Sequence, residues 1–188
     1  MKRVFLMAIL IAMAAPAAAQ MGSPSQDFVQ AVRESNGNKV GELLNSNPDT
    51  LINSRDYSGE TALLVAINRH DDEWTAFLLS KGADPNLAGR DGMTPLIAAA
   101  RIGYDDAVSW LIGKGAKVDS ANRMGETALI VAVQQRQAGV VRALLRSGAN
   151  PDKTDSAAGL SARDYAKRDN RARDILRQIE TSKPAVAK

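Results

Sequence analysis

The sequence predicts an all-α fold of stacked helices, and three observations carry that expectation. From about residue 26 the chain repeats itself at a step of 33 residues. Residues that start and stop helices recur at fixed places within that step. Hydrophobic residues make up 45% of the chain but aromatics only 4%, so the core must be built from Ala, Leu, Ile and Val, which let helices approach closely. A chain of 188 residues is long enough for one domain with a core of its own.

The N-terminus differs from the rest. Lys2 and Arg3 give a basic start, residues 4–15 form an apolar run, Pro16 interrupts it, and Ala17, Ala18 and Ala19 precede Gln20. That order is the pattern of a secretory signal peptide, which places cleavage after Ala19. The run of about 12 residues is short of the roughly 20 that a membrane-spanning helix needs, so stable insertion after cleavage is not expected. Without Lys2 and Arg3, 22 basic side chains face 21 acidic ones, a formal charge of +1. So even a balance does not call for nucleic acid or an anionic membrane as partner. With no cysteine in the chain, disulfides and thiol catalysis are excluded, and an exported domain of this kind relies on packing alone. A periplasmic location fits best, with release to the medium as the alternative.

The expected organisation is a signal peptide at 1–19, a linker at 20–25, a repeat domain at 26–180 and a loose tail at 181–188. The repeat is anchored by Gly59-Glu60-Thr61-Ala62-Leu63, Gly92-Met93-Thr94-Pro95-Leu96 and Gly125-Glu126-Thr127-Ala128-Leu129. A second series keeps the same step through Gly82-Ala83, Gly115-Ala116 and Gly148-Ala149, each preceded by Leu78-Leu79, Leu111-Ile112 or Leu144-Leu145. Thr61, Thr94 and Thr127 stand where a hydroxyl caps a helix, an arrangement whose loss to Ala costs about 0.5–2 kcal/mol. Pro95 falls at a first helical position, where its missing N–H is no loss. The glycines follow a second helix, where a left-handed residue commonly ends one. Leu63, Ala66 and Ile67 recur at helical spacing, as do Leu96, Ala99 and Ala100.

This pattern resembles the ankyrin repeat, with its 33-residue period and T-P-L-H-x-A signature. The resemblance covers roughly residues 26–180. It implies an ankyrin-repeat solenoid of stacked helix-turn-helix units with projecting turns, in units at about 26–55, 56–88, 89–121, 122–154 and 155–180. The signature histidine is replaced by Leu64, Ile97 and Ile130, so apolar packing is expected in place of a histidine network. A weaker first copy runs through Phe28, Ala31, Val32, Val40, Leu43 and Leu44, with two extra residues before Asp56. The last begins at Gly159-Leu160-Ser161-Ala162, and its second helix carries Arg168, Arg171, Arg173 and Arg177. Terminal repeats need a polar outer face, and these two read as caps.

The catalytic inventory is thin. His70 is the one histidine, and with no further His or Cys it lacks the companions that zinc requires; it reads as a solvated turn. Gly113-Lys114-Gly115 lacks the rest of a phosphate loop and reads as a helix end. Asp71-Asp72 and Asp105-Asp106 read as equivalent charges at helix N-termini. Phe77 and Trp110 share one repeat position, with Ala143 as the next equivalent; they and Trp74 are expected in the inter-repeat core. No cofactor, metal or catalytic residue is expected.

The expectation is therefore a non-catalytic, monomeric binding module whose partner is another protein, itself exported or in the cell envelope, serving as adaptor, protector or inhibitor. A secreted effector is the alternative, and a small metal-dependent enzyme around His70 a remoter one. The resemblance places contacts on the projecting turns and the exposed face of each first helix. In the second unit these are Tyr57, Ser58, Glu60, Asn68 and Arg69. In the third they are Arg90, Asp91, Met93, Arg101 and Ile102. In the fourth they are Arg123, Met124, Glu126, Gln134 and Gln135. Interfaces favour Tyr, Met and Arg over Lys and Glu. Met93, Ile102 and Met124 are expected as one exposed apolar strip.

Overall fold

A computed structural model describes residues 23–182, and the inner helices of its repeats begin at caps visible in the sequence. The hydroxyls of Thr61, Thr94 and Thr127 accept the backbone N–H of Leu64, Ile97 and Ile130 at 3.2, 3.2 and 3.3 Å. They open the helices α4 (Ala62–Asn68), α6 (Pro95–Ile102) and α8 (Ala128–Gln134). Ser161 does the same for α10 (Ala162–Arg168) through a reciprocal cap with Asp164. The partner helices are α5 (Asp72–Ser80), α7 (Asp105–Gly113), α9 (Ala138–Arg146) and α11 (Arg173–Thr181). After α5, α7 and α9 the chain turns at Gly82, Gly115 and Gly148, with φ of 91°, 87° and 87°. There Ala83, Ala116 and Ala149 return their N–H to Leu78, Leu111 and Leu144, closing the last turn as left-handed C-terminal residues do.

The first unit contains α1 (Pro24–Arg33), α2 (Gly37–Ser46) and a short α3 (Pro48–Leu51). The two extra residues of this unit are accommodated around α3. Successive helices pair as α1 with α2, α4 with α5, α6 with α7, α8 with α9 and α10 with α11. An inner row, α1-α4-α6-α8-α10, packs one helix against the next, as does an outer row, α5-α7-α9-α11. Among the described residues α2 makes no comparable contact with α5. Helices of seven to ten residues are too short to be stable alone, so packing sustains them. Residues 62–67, 95–100 and 128–133 are buried all round, as helices sandwiched between an outer partner and two inner neighbours must be. Leu64, Ile97 and Ile130 are among these, so apolar packing does replace the missing histidines. None of the described helices is long and apolar enough to cross a membrane.

A ladder not anticipated from the sequence ties unit to unit. Asn53, Asn86 and Asp119, again 33 residues apart, accept the N–H of Asp84, Lys117 and Asn150 at 2.7, 2.8 and 3.0 Å. Each bond crosses from one unit to the loop after the next unit's outer helix.

Several expectations need correction. The expected linker at 20–25 runs into α1, because the Ser23 hydroxyl accepts the Gln26 N–H at 3.2 Å and Pro24 suits the first helical position. The expected tail begins at 181, yet Thr181 closes α11. The signal peptide at 1–19 lies outside the described residues. Trp74, Phe77 and Trp110 are only half-buried. The outer helices bury Thr75, Leu78 and Leu79, or Ala107, Val108 and Leu111, and the rings lie on the flank beside those positions. The acidic pairs are also offset by one. The 33-residue register sets Asp72 against Asp105, and Asp71 against Tyr104. Asp71 caps α5 by accepting the Trp74 N–H at 3.0 Å, whereas Tyr104 supplies no cap to α7. Instead Tyr104 is buried and donates its hydroxyl to the Asp72 carboxylate. Burial and that bond push its phenol above the ordinary tyrosine range.

Candidate protein-binding face

The projecting turns are built on side chains at their feet. Asp56 accepts the N–H groups of Ser58 and Glu60, both at 2.9 Å, and the Ser58 hydroxyl at 2.6 Å. Asn122 accepts those of Met124 and Glu126 at 2.9 and 3.0 Å. Asp155 accepts those of Ala158 and Gly159 at 2.6 and 3.1 Å. These side chains, all buried, fix the turns before any partner arrives. Burial raises the Asp56 carboxyl, but hydrogen bonds from Ser58, Arg33 and the local backbone outweigh it and hold the group below the usual carboxylate range. The Tyr165 hydroxyl, donating at 2.6 Å, leads the same effect at Asp155, against the opposing pull of burial. The signal for these residues was present in the 33-residue register, but the break at Gly89 hid it.

The third turn lacks that side chain. It closes as a short 3-10 turn at Arg90–Gly92, with Asp91 at φ 57°. The next turn supports it: Arg123 donates its backbone N–H to the Asp91 carbonyl at 2.9 Å and its guanidinium to the Asp91 carboxylate at 3.0 Å.

The expected contact residues fall into two groups. Some are engaged within the scaffold. Arg69 donates to the carbonyls of Val32 and Arg33 at 2.9 and 2.7 Å and to the Ser35 hydroxyl at 2.8 Å. It satisfies the free carbonyl end of α1, which a C-terminal cation also favours electrostatically. Arg101 reaches the Asn68 side-chain carbonyl, one unit back, at 3.3 Å. Glu60 receives Arg33 at 3.1 Å, and Glu126 receives the Asn122 amide at 2.7 Å. Others point outward. Tyr57 and Met124 are 79% and 54% exposed, the large hydrophobics most open to solvent among the described residues. Ser58, Arg90, Gln134 and Gln135 are also exposed.

The expected apolar strip of Met93, Ile102 and Met124 does not form. Met93 and Ile102 are half-buried against the core. They flank opposite ends of α6, nine residues apart in sequence, roughly 13 Å at the helical rise. Only Met124 stands free. Spacing in the repeat placed these residues near the face, but the pull of apolar side chains toward the core decided their orientation.

His70 lies at the turn from α4 to α5, exposed, at φ 55°, with its ring centroid 3.9 Å from that of Tyr104. Among the described residues no group of His, Asp and Glu is arranged to hold a metal ion.

Residues 71–155 match the family model described as ankyrin repeats, three copies. No curated protein matches the chain.

Proposed function

Starting from a chain that carries ankyrin repeats, a family typically without catalysis, we propose an exported protein-binding module that works in the bacterial cell envelope. It acts as adaptor, protector or inhibitor of another exported protein. The first nineteen residues support export, and the repeats support protein binding. The observation that carries the face is the row of projecting turns. Tyr57, Arg90 and Met124 occupy successive turns, outside the buried bodies of the inner helices. A rigid backbone offering an aromatic, a guanidinium and a thioether fits the composition of protein interfaces. Arg123, Gln134 and Gln135 extend the same face. Arg69, Arg101, Met93 and Ile102 support it from within the scaffold.

The test begins with affinity purification of the processed protein from its native envelope and identification of what is retained. Tyr57→Ala, Arg90→Glu and Met124→Ala combined should abolish capture while leaving the circular-dichroism spectrum unchanged. Undiminished capture by that variant removes the proposed face, and recovery of the unprocessed chain from the cytoplasm removes the location.

A further inference from the structure

Where α2 fails to pack on α5, the outer row opens into a cleft of about 520 Å³. The volume lies within the range of small-ligand sites, roughly 300–1,000 Å³. One wall is the face of α5 carrying Glu73, Trp74, Phe77 and Lys81; the other is α2, with Gly37, Gly41, Leu44 and Asn45. Trp74 and Phe77 meet edge to face, with centroids 5.5 Å apart, and form an aromatic floor. The Lys81 ammonium lies 5.6 Å from the Phe77 centroid.

The two glycines carry the argument. A glycine in the middle of a helix, as Gly41 is, costs about 0.5–1 kcal/mol relative to alanine, so close packing would ordinarily be needed to explain it; Gly37 stands at the first position of α2. At Gly37 and Gly41 an added Cβ meets nothing within 4 Å, and neither residue has a left-handed φ. Neither close packing nor backbone strain requires them, and their effect is to leave the wall open opposite the rings.

The charges define what fits. Glu73, in the first turn of α5, and Lys81, just past its last residue, stand eight residues apart, about 12 Å along the axis. Asn45, in the last turn of α2, also lines the cleft. Lys39 and Glu42, the neighbouring charges on α2, pair with each other at 3.6 Å. Among the described residues neither Glu73 nor Lys81 enters an ion pair. A carboxylate at one end, an ammonium at the other, and apolar rings between them complement an extended zwitterion of that length. A peptide of three residues spans roughly 10–11 Å. We propose that the α2/α5 cleft binds a short apolar peptide by both free termini, the amino group at Glu73 and the carboxylate at Lys81. This site lies on the outer row, away from the projecting turns, and does not depend on the proposed envelope partner.

The probe is the tripeptide Leu-Ala-Leu, titrated into the purified protein by calorimetry and followed by tryptophan emission. Saturable one-to-one binding is expected, with the acetylated and amidated tripeptide at least about tenfold weaker because both end charges are gone. Gly41→Leu, whose Cβ meets nothing within 4 Å, fills the open wall and should abolish binding while preserving the fold. Lys81→Glu and Glu73→Lys should each weaken binding, and the two combined should restore it with the peptide reversed. Failure of the free tripeptide to bind, equal binding of the capped form, or unchanged binding in Gly41→Leu overturns the proposal. So does a cleft that takes a synthetic amphipathic helix but no tripeptide.

Discussion

The third and fourth projecting turns occupy the same place in the repeat and are held by different means. In the fourth, Asn122 gathers the N–H groups of Met124 and Glu126 and passes its own amide to the Glu126 carboxylate. Its side-chain support comes from within, and the Ser156 backbone N–H of the next turn donates to the Met124 carbonyl at 2.8 Å. In the third, Gly89 has no side chain to offer, and an added Cβ would come within 2.6 Å of the Leu64 side chain. That turn is closed by the Gly89 N–H to the Met93 carbonyl at 2.9 Å and by Arg123 reaching across from its neighbour. Both turns are closed by the same backbone bond, and each is met by a backbone N–H of the next, Arg123 to Asp91 and Ser156 to Met124. They differ in the side chain that steadies them, the fourth turn's own Asn122 against the neighbour's Arg123. A larger side chain at Gly89 would require the end of Leu64, the residue that replaced the histidine of the signature, to shift.

The largest expected effect comes from removing the internal support. Asn122→Ala takes away the acceptor of the part-buried Met124 and Glu126 N–H groups, at about 0.5–1.5 kcal/mol for each bond lost. Urea unfolding should show the loss, and Asn122→Asp, which keeps the acceptor but sets a carboxylate against that of Glu126, should recover only part of it. A midpoint unchanged by Asn122→Ala means that water replaces the bonds freely and the contrast between the turns has no energetic content.

Next in size is a change that repeat register alone would call an improvement. Gly89→Asp restores the side chain present at Asp56 and Asp155, yet it should destabilise by about 1–3 kcal/mol through overpacking against Leu64. Combining it with Leu64→Val should cost less than the sum of the two changes, because the shorter side chain makes room. Additive losses in the double-mutant cycle exclude the clash as the cause.

Much of this molecule was legible in the sequence. Caps and end-glycines act through backbone groups a few residues away, so Thr61, Thr94, Thr127 and the glycines 33 residues apart could be read without coordinates. Side chains whose partners lie one unit distant could not be assigned. Arg69 looked like a contact residue and is a helix cap, because its partners Val32 and Arg33 come near only on stacking. Tyr104 carries no signal in its own unit, since its partner Asp72 belongs to the preceding one. Met93 and Ile102 were placed on the right unit but turned outward, a choice between core and solvent that register does not encode. The cleft depends on α2 departing from the outer row, and two extra residues in the first unit gave only a hint of that.

A third effect separates the fifth turn from the fourth by charge. Asp155 does in the fifth what neutral Asn122 does in the fourth, and its folded-state pKa lies below the ordinary value. A depressed carboxyl contributes stability above its unfolded pKa, near 3.9. That contribution is lost as pH falls through the lower folded value. Asp155→Asn should flatten the fall in melting temperature below pH 4, with a small cost at pH 7 from the altered bond with Tyr165. An unchanged acid slope shows that other carboxylates, Asp56 among them, account for the acid sensitivity.

The smallest expected effect is at Arg123. Its ion pair with Asp91 joins side chains that are 76% and 66% exposed, and pairs in that setting contribute about 0–1 kcal/mol. The backbone bond between the same residues survives any side-chain change. Arg123→Ala should thus leave the unfolding midpoint nearly where it was, while freeing the Asp91 carboxylate at the tip of the less supported turn. Binding and stability separate at this position. If Arg123 meets the partner directly, capture weakens with the fold intact; if it only steadies the third turn, the loss is recovered by Arg123→Lys, which keeps a cation near Asp91. A large drop in stability instead reveals that the third turn leans on its neighbour through the side chain more than through the backbone, and that its rigidity is borrowed.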